Sequence, residues 1–274
     1  MESPITTSTP QPPAAAKAPV QRRSRALSFP WWIVIILGFF GLFLIQLLLD
    51  PAARALYASA IRFILPGVAM TIFVTACAYS IALVIGLVVG LMRLSSNPVL
   101  FHLSRVYVEI MRGLPMLVIV LYAGYVIGPA IRDMTRSLWD PSMLVRAILG
   151  LGLGYGAFLS EVFRSGIQSI GRGQSEAARS LGMNSRQVMS YVILPQAFRI
   201  ILPPLGNDLI ALLKDSALIA VLALEDTLQL GRQWISRTFR ALEGYNTVAF
   251  LYLALTLTLS AFVTWLERRM RIGH

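Results

Sequence analysis

The sequence predicts an all-α membrane protein with six transmembrane helices. Of its 274 residues, 56% are hydrophobic and only 14% are charged, a balance typical of chains that cross a bilayer several times. The apolar residues fall into six runs, each close to the ~20 residues that a helix needs to cross the hydrocarbon core. The polar segments between these runs are too short to form a soluble domain.

The first 66 residues are predicted to contain a disordered tail, a transmembrane span and a helix on the membrane surface. Residues 1–28 are rich in Pro, Ser, Thr, Ala and Gln, which predicts a disordered tail. The uncharged run 31–49 predicts the first span. A cleaved signal peptide is the alternative, but the run is longer than usual and Asp50-Pro51 is a poor cleavage context. Residues 52–66 predict an interfacial helix on the far side of the membrane, ended by Pro66-Gly67.

Five further spans follow from the apolar pattern. We place them at residues 68–92, 106–127, 143–163, 200–222 and 246–266. Polar residues from Arg132 to Pro141 predict an exposed loop, and residues 223–245 predict a second one. The fourth span carries four glycines at every second position from Gly150 to Gly156, so one of its faces is bare enough for another helix to approach closely.

The distribution of basic residues predicts the orientation. The formal net charge of +11 does not indicate nucleic-acid binding, because the basic residues lie between apolar runs and form no single patch. Of the 24 Lys and Arg residues, 15 fall on the side of the N-terminal tail, eight fall on the other side, and Lys214 lies inside a span. By the positive-inside rule, both termini and the polar segment 171–199 are predicted to be cytoplasmic.

The polar segment 171–199 predicts a helix-turn-helix that projects from the membrane. Ser175 can cap a short helix, with Glu176 in its first turn near the positive end of the dipole. Gly182 ends that helix and permits a sharp turn. A second helix is predicted to begin near Asn184 or Ser185 and to stop before Pro195.

At these residues the chain resembles the membrane-spanning subunits of ATP-driven (ABC) importers that work with a binding protein. Their cytoplasmic loop has a Glu-Ala-Ala, Gly, Ile-Leu-Pro pattern, which residues 176–178, Gly182 and residues 193–195 match. The resemblance covers roughly residues 66–269 and extends to Arg112-Gly113-Leu114-Pro115, to Glu161 through Ile167, and to Leu213-Lys214-Asp215-Ser216, which are similar to the branch that transports polar amino acids.

The resemblance implies a fold and a division of the chain. The expected fold is the five-helix (MetI-like) permease core over residues 66–269, with the coupling loop at 171–199. Residues 29–65 are then an extra N-terminal helix and interfacial segment, and this helix turns the N-terminus inward.

The resemblance also implies a function. The expected function is that of the permease subunit of a bacterial importer in the inner membrane, forming the pathway for a polar or charged amino acid. The expected partners are a second permease subunit, identical or paralogous, a cytoplasmic ATPase dimer that binds ATP and Mg, and an extracytoplasmic binding protein. Another small polar solute, such as an opine or a compatible solute, is the alternative substrate.

Two groups of residues are the main candidate sites. The resemblance implies that the ATPase contacts Glu176, Ala177, Ala178, Ser180, Leu181 and Gly182. In the fifth span, the polar residues are Asn207, Asp208, Lys214 and Asp215, which share an arc of about 120° on a helix. Ionisable groups there are costly enough to be functional candidates. They either line a polar substrate cavity or pair internally, as Lys214 with Asp215 or Asp208.

Arg112 and Glu161 complete the candidate pathway residues. Arg112 can pair with Glu109 one turn away, hold Glu161 across a helix interface, or approach a substrate carboxylate, and we expect structural pairing. Glu161 and Arg164 are expected to brace the loop that follows them.

No histidine has partners at metal-ligand spacing, and no Gly-x-x-x-x-Gly-Lys phosphate loop occurs. An intramembrane enzyme using Glu109, Glu161 or Asp208 is a weaker alternative, because no catalytic spacing is present.

Overall fold

A computed structural model of the protein describes residues 49–136 and 138–271. The chain divides into two compact units, residues 1–51 and residues 52–274, and the description below concerns the second. The predicted tail at residues 1–28 and the predicted first span at residues 31–49 lie outside the described residues, apart from Leu49.

Regular secondary structure in the described part of the chain is entirely helical, as predicted. Two segments of wider π-helix, Ala123–Ile127 and Val188–Ile193, join successive helices, and a 3-10 segment, Ser216–Leu222, follows the eighth. The α-helices are α1 (Pro51–Leu94), α2 (Pro98–Gly113), α3 (Met116–Tyr122), α4 (Gly128–Met134), α5 (Met143–Gln168), α6 (Arg172–Ser180), α7 (Ser185–Gln187), α8 (Leu194–Asp215), α9 (Thr227–Thr238) and α10 (Ala241–Arg271).

Four helical stretches in the described residues are long and apolar enough to cross a membrane. They are Pro66–Leu94, Met116–Met134, Met143–Gln168 and Ala241–Arg269. The predicted fifth span lies mostly in α8, whose hydropathy is lowered by Asn207, Asp208 and Lys214. Four of the predicted spans therefore have a counterpart of sufficient hydropathy, and six crossings remain a prediction.

α5 lies at the centre of the core. Leu151 and Leu159 are fully buried there, together with Val74 of α1 and Leu212 of α8. The predicted close approach at the glycines is confirmed, but they lie on two sides of α5 and not on one face: Gly150 and Gly154 meet the segment 116–123, and Gly152 and Gly156 meet α1. A Cβ atom at Gly152 would lie 2.8 Å from Cγ2 of Ile81, so α1 could not pack this closely against a larger residue.

The predicted end of a helix at Pro66-Gly67 is wrong, because α1 continues through both residues. The half of α1 that precedes them has its own apolar partners. Ala60 and Ile64 are fully buried in a small cluster with Trp234 of α9 and with α10. This packing outweighs the cost of a proline inside the helix.

The predicted bounds of the third span, residues 106–127, are also wrong. The chain breaks after Gly113, and α3 begins after Pro115, whose ring removes the N–H that a continuous helix needs. The apolar stretch is instead Met116–Met134, so Arg132 and Asp133, which were predicted to lie in a loop, are helical. The π segment leaves the Gly124 carbonyl to accept a hydrogen bond from Nη1 of Arg146 at 2.9 Å.

The predicted loop 223–245 is largely helical, because it contains α9 and the first turn of α10. Ala223 has a left-handed backbone (φ 58°), which ends the preceding 3-10 segment. Asp226 then caps α9 by accepting a hydrogen bond from the Gln229 N–H at 2.8 Å. The apolar face of α9 packs on α1 and α10, which the sequence pattern of this short segment did not reveal.

A buried polar network fixes the start of α9. Asp226 and Thr227 are fully buried, and the Tyr252 hydroxyl donates to Oδ2 of Asp226 at 3.0 Å. The hydroxyls of Thr71 and Thr227 lie 2.9 Å apart. Gly67 permits this contact, since a Cβ there would lie 2.6 Å from the Asp226 carbonyl carbon. Burial raises the pKa of the Asp226 carboxyl, even though its hydrogen bonds act in the opposite direction.

We predict that Asp226→Asn keeps or raises the thermal stability at neutral pH. The pKa of Asp226 is higher in the folded state than in the unfolded state. Its contribution to the free energy of unfolding is therefore complete below the unfolded-state pKa, and it is lost as the pH rises through the folded-state pKa. Asparagine caps a helix as well as aspartate does and removes this pH dependence. Asp226→Ala should lose about 1 kcal/mol with the cap. Unfolding temperatures in detergent between pH 5 and pH 8 measure both effects, and an equal loss in both variants would contradict the argument.

Candidate functional site

The segment between α5 and α8 forms a short helix, a tight turn and a second helix. α6 begins after Gly171, which supplies no side-chain cap. Ser175 lies inside α6 and donates to the Arg172 carbonyl at 2.8 Å, so its predicted role as the cap is wrong. The helix therefore begins one turn earlier than predicted.

The turn after α6 depends on Gly182. The Gly182 N–H bonds to the Arg179 carbonyl at 2.9 Å, and the Met183 N–H bonds to the Ala178 carbonyl at 3.2 Å. This is a Schellman motif, in which the residue after the helix takes a left-handed backbone, and Gly182 has a φ of 81°. A Cβ here would meet nothing within 4 Å. Backbone conformation, and not space, is what requires glycine.

The second helix begins at Ser185 as predicted, but it does not stop before Pro195. Asn184 and Gln187 form a capping box, with both side chain to backbone bonds at 2.9 Å. The chain then continues through the π segment into α8, where Pro195 occupies the first turn. The missing N–H of Pro195 therefore does not end the helical run, because the π segment directly before it already departs from regular α-helical hydrogen bonding.

Five of the six residues predicted to contact an ATPase are exposed. Leu181 is 84% exposed and lies beside the glycine turn, while Ala178 is 5% exposed. Glu176, Ala177, Ser180 and Gly182 are exposed as well. Ala178 therefore holds the segment against its own chain, and the other five form a surface that another molecule can reach.

The four polar residues of α8 separate into an outer and an inner pair. Asn207 and Lys214 are exposed, whereas Asp208 and Asp215 are half-buried. The Tyr155 hydroxyl donates to Oδ2 of Asp215 at 2.8 Å. The Asp208 carboxylate interacts electrostatically with the hydroxyls of Tyr155 and of Tyr79, and Tyr79 donates to the Leu205 carbonyl at 2.7 Å.

The internal ion pairs considered for Lys214 are not formed. Among the described residues, no carboxylate oxygen lies within 4.0 Å of its ammonium group. The ammonium group of Lys214 and the amide of Asn207 are therefore exposed on the surface of a largely apolar helix.

Glu161 accepts bonds from three arginines on three helices. Oε1 accepts from Arg93 of α1 and, at 3.2 Å, from Arg112 of α2. Oε2 accepts from Nε of Arg164 at 2.9 Å. The Arg93 side chain is only 15% exposed. The carboxylate thus joins the ends of α1, α2 and α5 shortly before α6 begins.

Of the pairings considered for Arg112, the structure has the one with Glu161 across the helix interface and not the one with Glu109. Glu109 is exposed, and within the described residues no cation lies within 4.0 Å of it. No hydrogen bond or ion pair joins Arg112 or Glu161 to the four polar residues of α8 in this part of the chain. The predicted pathway residues thus form two separate groups.

Sequence reasoning missed the partners of these groups. Arg93 directly follows the predicted span 68–92, and Tyr79 and Tyr155 lie inside predicted spans, so none of them was singled out. A hydroxyl or guanidinium within a predicted span is the signal that could have identified them, because such groups need a partner there. In the described residues, no three His, Cys, Asp or Glu side chains form a group that could hold a metal ion.

Comparisons with known proteins agree on one family. Residues 82–272 match the model of the binding-protein-dependent transport system inner membrane component. The chain is 35% identical over 213 residues to the glutamine transport system permease protein of Escherichia coli (strain K12), covering 78% of this chain and 95% of that protein. It is 33% identical over 212 residues to the glutamate/aspartate import permease protein of Escherichia coli O157:H7, covering 77% of this chain and 94% of that one.

A solved structure has the same fold. The crystal structure of an amino acid ABC transporter with histidines matches 81% of this chain and 99% of its own chain, at 33% identity and a TM-score of 0.70. This agreement establishes the predicted MetI-like permease fold for the described helices.

We predict that Glu161→Gln destabilises the protein. It leaves Arg93 buried without an anionic partner, which should cost about 1–3 kcal/mol after allowance for partial exposure. Glu109→Gln is the matched control, since it removes an exposed and unpaired carboxylate from the neighbouring helix. Unfolding temperatures in detergent measure the difference. Equal temperatures for the two variants would mean that the arginines do not depend on Glu161.

Proposed function

Because the chain belongs to the family of binding-protein-dependent transport system inner membrane components, we propose that it forms the pathway through which a polar or charged amino acid crosses the membrane. It is the permease subunit of an ABC importer and is a transport component, not an enzyme. The relatives named above transport glutamine and glutamate or aspartate. An opine, a compatible solute or another small polar solute is the alternative substrate class.

The observation that carries this proposal is the polar surface of α8. Asn207 and Lys214 are exposed, and placing a lysine against lipid is costly. A water-filled pathway between two permease subunits removes this cost, and it supplies an amide and a cation to an amino-acid substrate. Asp215, which accepts a hydrogen bond from Tyr155, and the half-buried Asp208 add carboxylates near the same surface. Arg112, at the end of α2, and Glu161, near the end of α5, form the second group of the proposed pathway.

The turn at Gly182 is the proposed contact with the ATPase. Glu176 offers a carboxylate, Leu181 an exposed apolar group, and the alanine and serine side chains of α6 are small enough for close approach. The partners are then a second permease subunit, identical or paralogous, a pair of cytoplasmic ATPase subunits and an extracytoplasmic binding protein. ATP and Mg are bound by the ATPase pair, and this subunit needs no cofactor of its own.

The proposed topology has six crossings of the bacterial inner membrane and both termini in the cytoplasm. Residues 31–49 cross first, followed by the permease core over residues 66–269, and residues 1–28 form a cytoplasmic tail. Single cysteines at positions 24 and 238, in a chain with Cys77 replaced by serine, test this topology. Only the cysteine at position 238 should react with an impermeant reagent added outside, and reaction of both from that side would exclude the model.

The test of the function is ATPase stimulation in a reconstituted complex. The chain is purified with its ATPase, placed in lipid nanodiscs, and mixed with purified amino-acid binding proteins, each with and without its amino acid. Stimulation by at least one loaded binding protein for a polar or charged amino acid is expected. Stimulation only by binding proteins for other solutes would establish the alternative substrate class.

We predict that Glu176→Lys and Gly182→Val separate ATP hydrolysis from uptake. The first reverses a charge at the proposed contact, and the second forces a β-branched residue into a left-handed backbone, which costs more than the roughly 1–2 kcal/mol typical of other residues. Insertion should be normal, while uptake falls at least tenfold. Gly173→Ala is the control, because Gly173 lies in α6 with open space around it. Wild-type uptake in both variants would exclude the contact.

We also predict that Asp208→Asn lowers uptake or changes which amino acid stimulates hydrolysis. The binding protein keeps its affinity, because its site is on another molecule. Asp133→Asn, at an exposed carboxylate outside α8, should behave as wild type. Exchanging Asp208 and Lys214 tests the alternative of internal pairing. Restored uptake in the exchanged variant would favour a structural pair, whereas impaired uptake favours the pathway.

A further inference from the structure

One face of α9 carries only polar side chains. Gln229, Arg232, Gln233, Ser236 and Arg237 line a shallow, open cavity of about 310 Å³. We call these five residues the arginine face. They lie opposite the buried residues Leu230 and Trp234, which pack on α1 and α10. The face is therefore built on a helix whose other side is fixed.

The positive charge of the arginine face is not neutralised within the described residues. Arg232 and Arg237 are exposed, and none of the ion pairs there includes them. Asp226 at the start of α9 is fully buried, and Glu225 makes only a long contact of 3.4 Å with Gln233. Arg237 lies 4.8 Å above the ring of Phe63 on α1, which orients its guanidinium. Two cations thus face outward on a rigid support.

An exposed aromatic residue stands at the end of the same helix. Phe239 is 90% exposed and has a left-handed backbone (φ 55°), a conformation that is strained for a bulky residue. Its N–H still bonds to the Ile235 carbonyl at 2.7 Å. Arginine and aromatic residues dominate the binding energy of protein interfaces. An exposed phenylalanine next to unpaired arginines is the composition of such an interface.

We infer that the arginine face, with Phe239 at its end, is the docking surface for an acidic patch on the binding protein. The inference rests on the proposed function, since it places α9 on the outer side, where the binding protein acts. Unneutralised cations on the permease fit carboxylates on the partner, and charge complementarity of this kind accelerates encounter and selects the partner. The network around Asp226 and Thr71 links the surface to α1, so docking acts on a helix of the core.

Charge reversal in the reconstituted complex tests the inference. The binding protein is the one that stimulates the wild-type complex most strongly in the panel described above. For Arg232→Glu and Arg237→Glu, the concentration of binding protein that gives half-maximal stimulation should rise roughly tenfold, while basal hydrolysis is unchanged. The increase should shrink as salt is added, because salt screens exposed charges. Phe239→Ala should raise the same concentration with little dependence on salt.

Arg136→Glu is the matched control, since Arg136 is exposed on the same predicted side of the membrane but lies outside α9. An equal increase in this variant would mean that only general positive charge matters, and it would overturn the assignment. Anionic lipid headgroups are the other partner that fits two arginines. Nanodiscs with and without phosphatidylglycerol distinguish the binding protein from lipid as the partner. If the charge reversals change the half-maximal concentration only in the anionic nanodiscs, the arginine face binds lipid.

The outcomes also separate this inference from the proposed function. A wild-type complex that no binding protein stimulates contradicts the function itself. Normal stimulation of the wild type, with unchanged half-maximal concentrations in Arg232→Glu and Arg237→Glu, contradicts only the docking surface.

Discussion

Close packing of α5 against α1 is the constraint on which the rest of the structure depends. Small residues occur on both helices, so a Cβ at Gly86 of α1 would lie 2.6 Å from the Cβ of Leu159, and one at Gly90 would lie 2.9 Å from the Ser160 carbonyl oxygen. Where lipid surrounds a protein, hydrophobic burial drives helix association weakly, and contact between bare backbone surfaces supplies the attraction instead. This contact also brings Arg93 of α1 within reach of Glu161, so the ion cluster follows from the packing.

The sequence predicted those parts of the fold that depend on local pattern. The close packing at the glycines of α5, the start of the second helix at Ser185 and the turn at Gly182 each rest on residues within one or two turns of each other, and the structure has them as predicted. The predictions were wrong where contacts with residues distant in the sequence determine the local structure. Pro66 would end an isolated helix, but Trp234 and its neighbours hold the chain helical on both sides of it. α9 was missed because it has few apolar residues, and because part of its packing is against α1, which lies far earlier in the chain.

The prediction of ion-pair partners was limited in the same way. The sequence identified the four polar positions of α8 and the pair Arg112 and Glu161 as candidates, because charged residues in apolar runs are costly. It offered Glu161 as one of three partners for Arg112, but it did not identify Arg93 as a partner of Glu161 or Tyr155 as a partner of Asp215. Two of the three arginines on Glu161 come from other helices, and Arg93 lies 68 positions earlier in the chain. Pairing across helices is set by which faces meet, and periodicity within one segment carries no information on that.

The connectivity of the second half of the chain explains how the two candidate regions can act together. From Ser185 to Leu222 the chain is helical without a break, through α7, the π segment, α8 and the 3-10 segment. The turn at Gly182 lies at one end of this rod, the polar residues of α8 lie within it, and Ser216 near its other end is fully buried. Because a helix transmits displacement along its axis, a force on the turn must tilt or shift Asn207 and Lys214. Helix kinks occur at π segments and at prolines, so we expect bending at the π segment and at Pro203-Pro204, between the proposed ATPase contact and the proposed pathway.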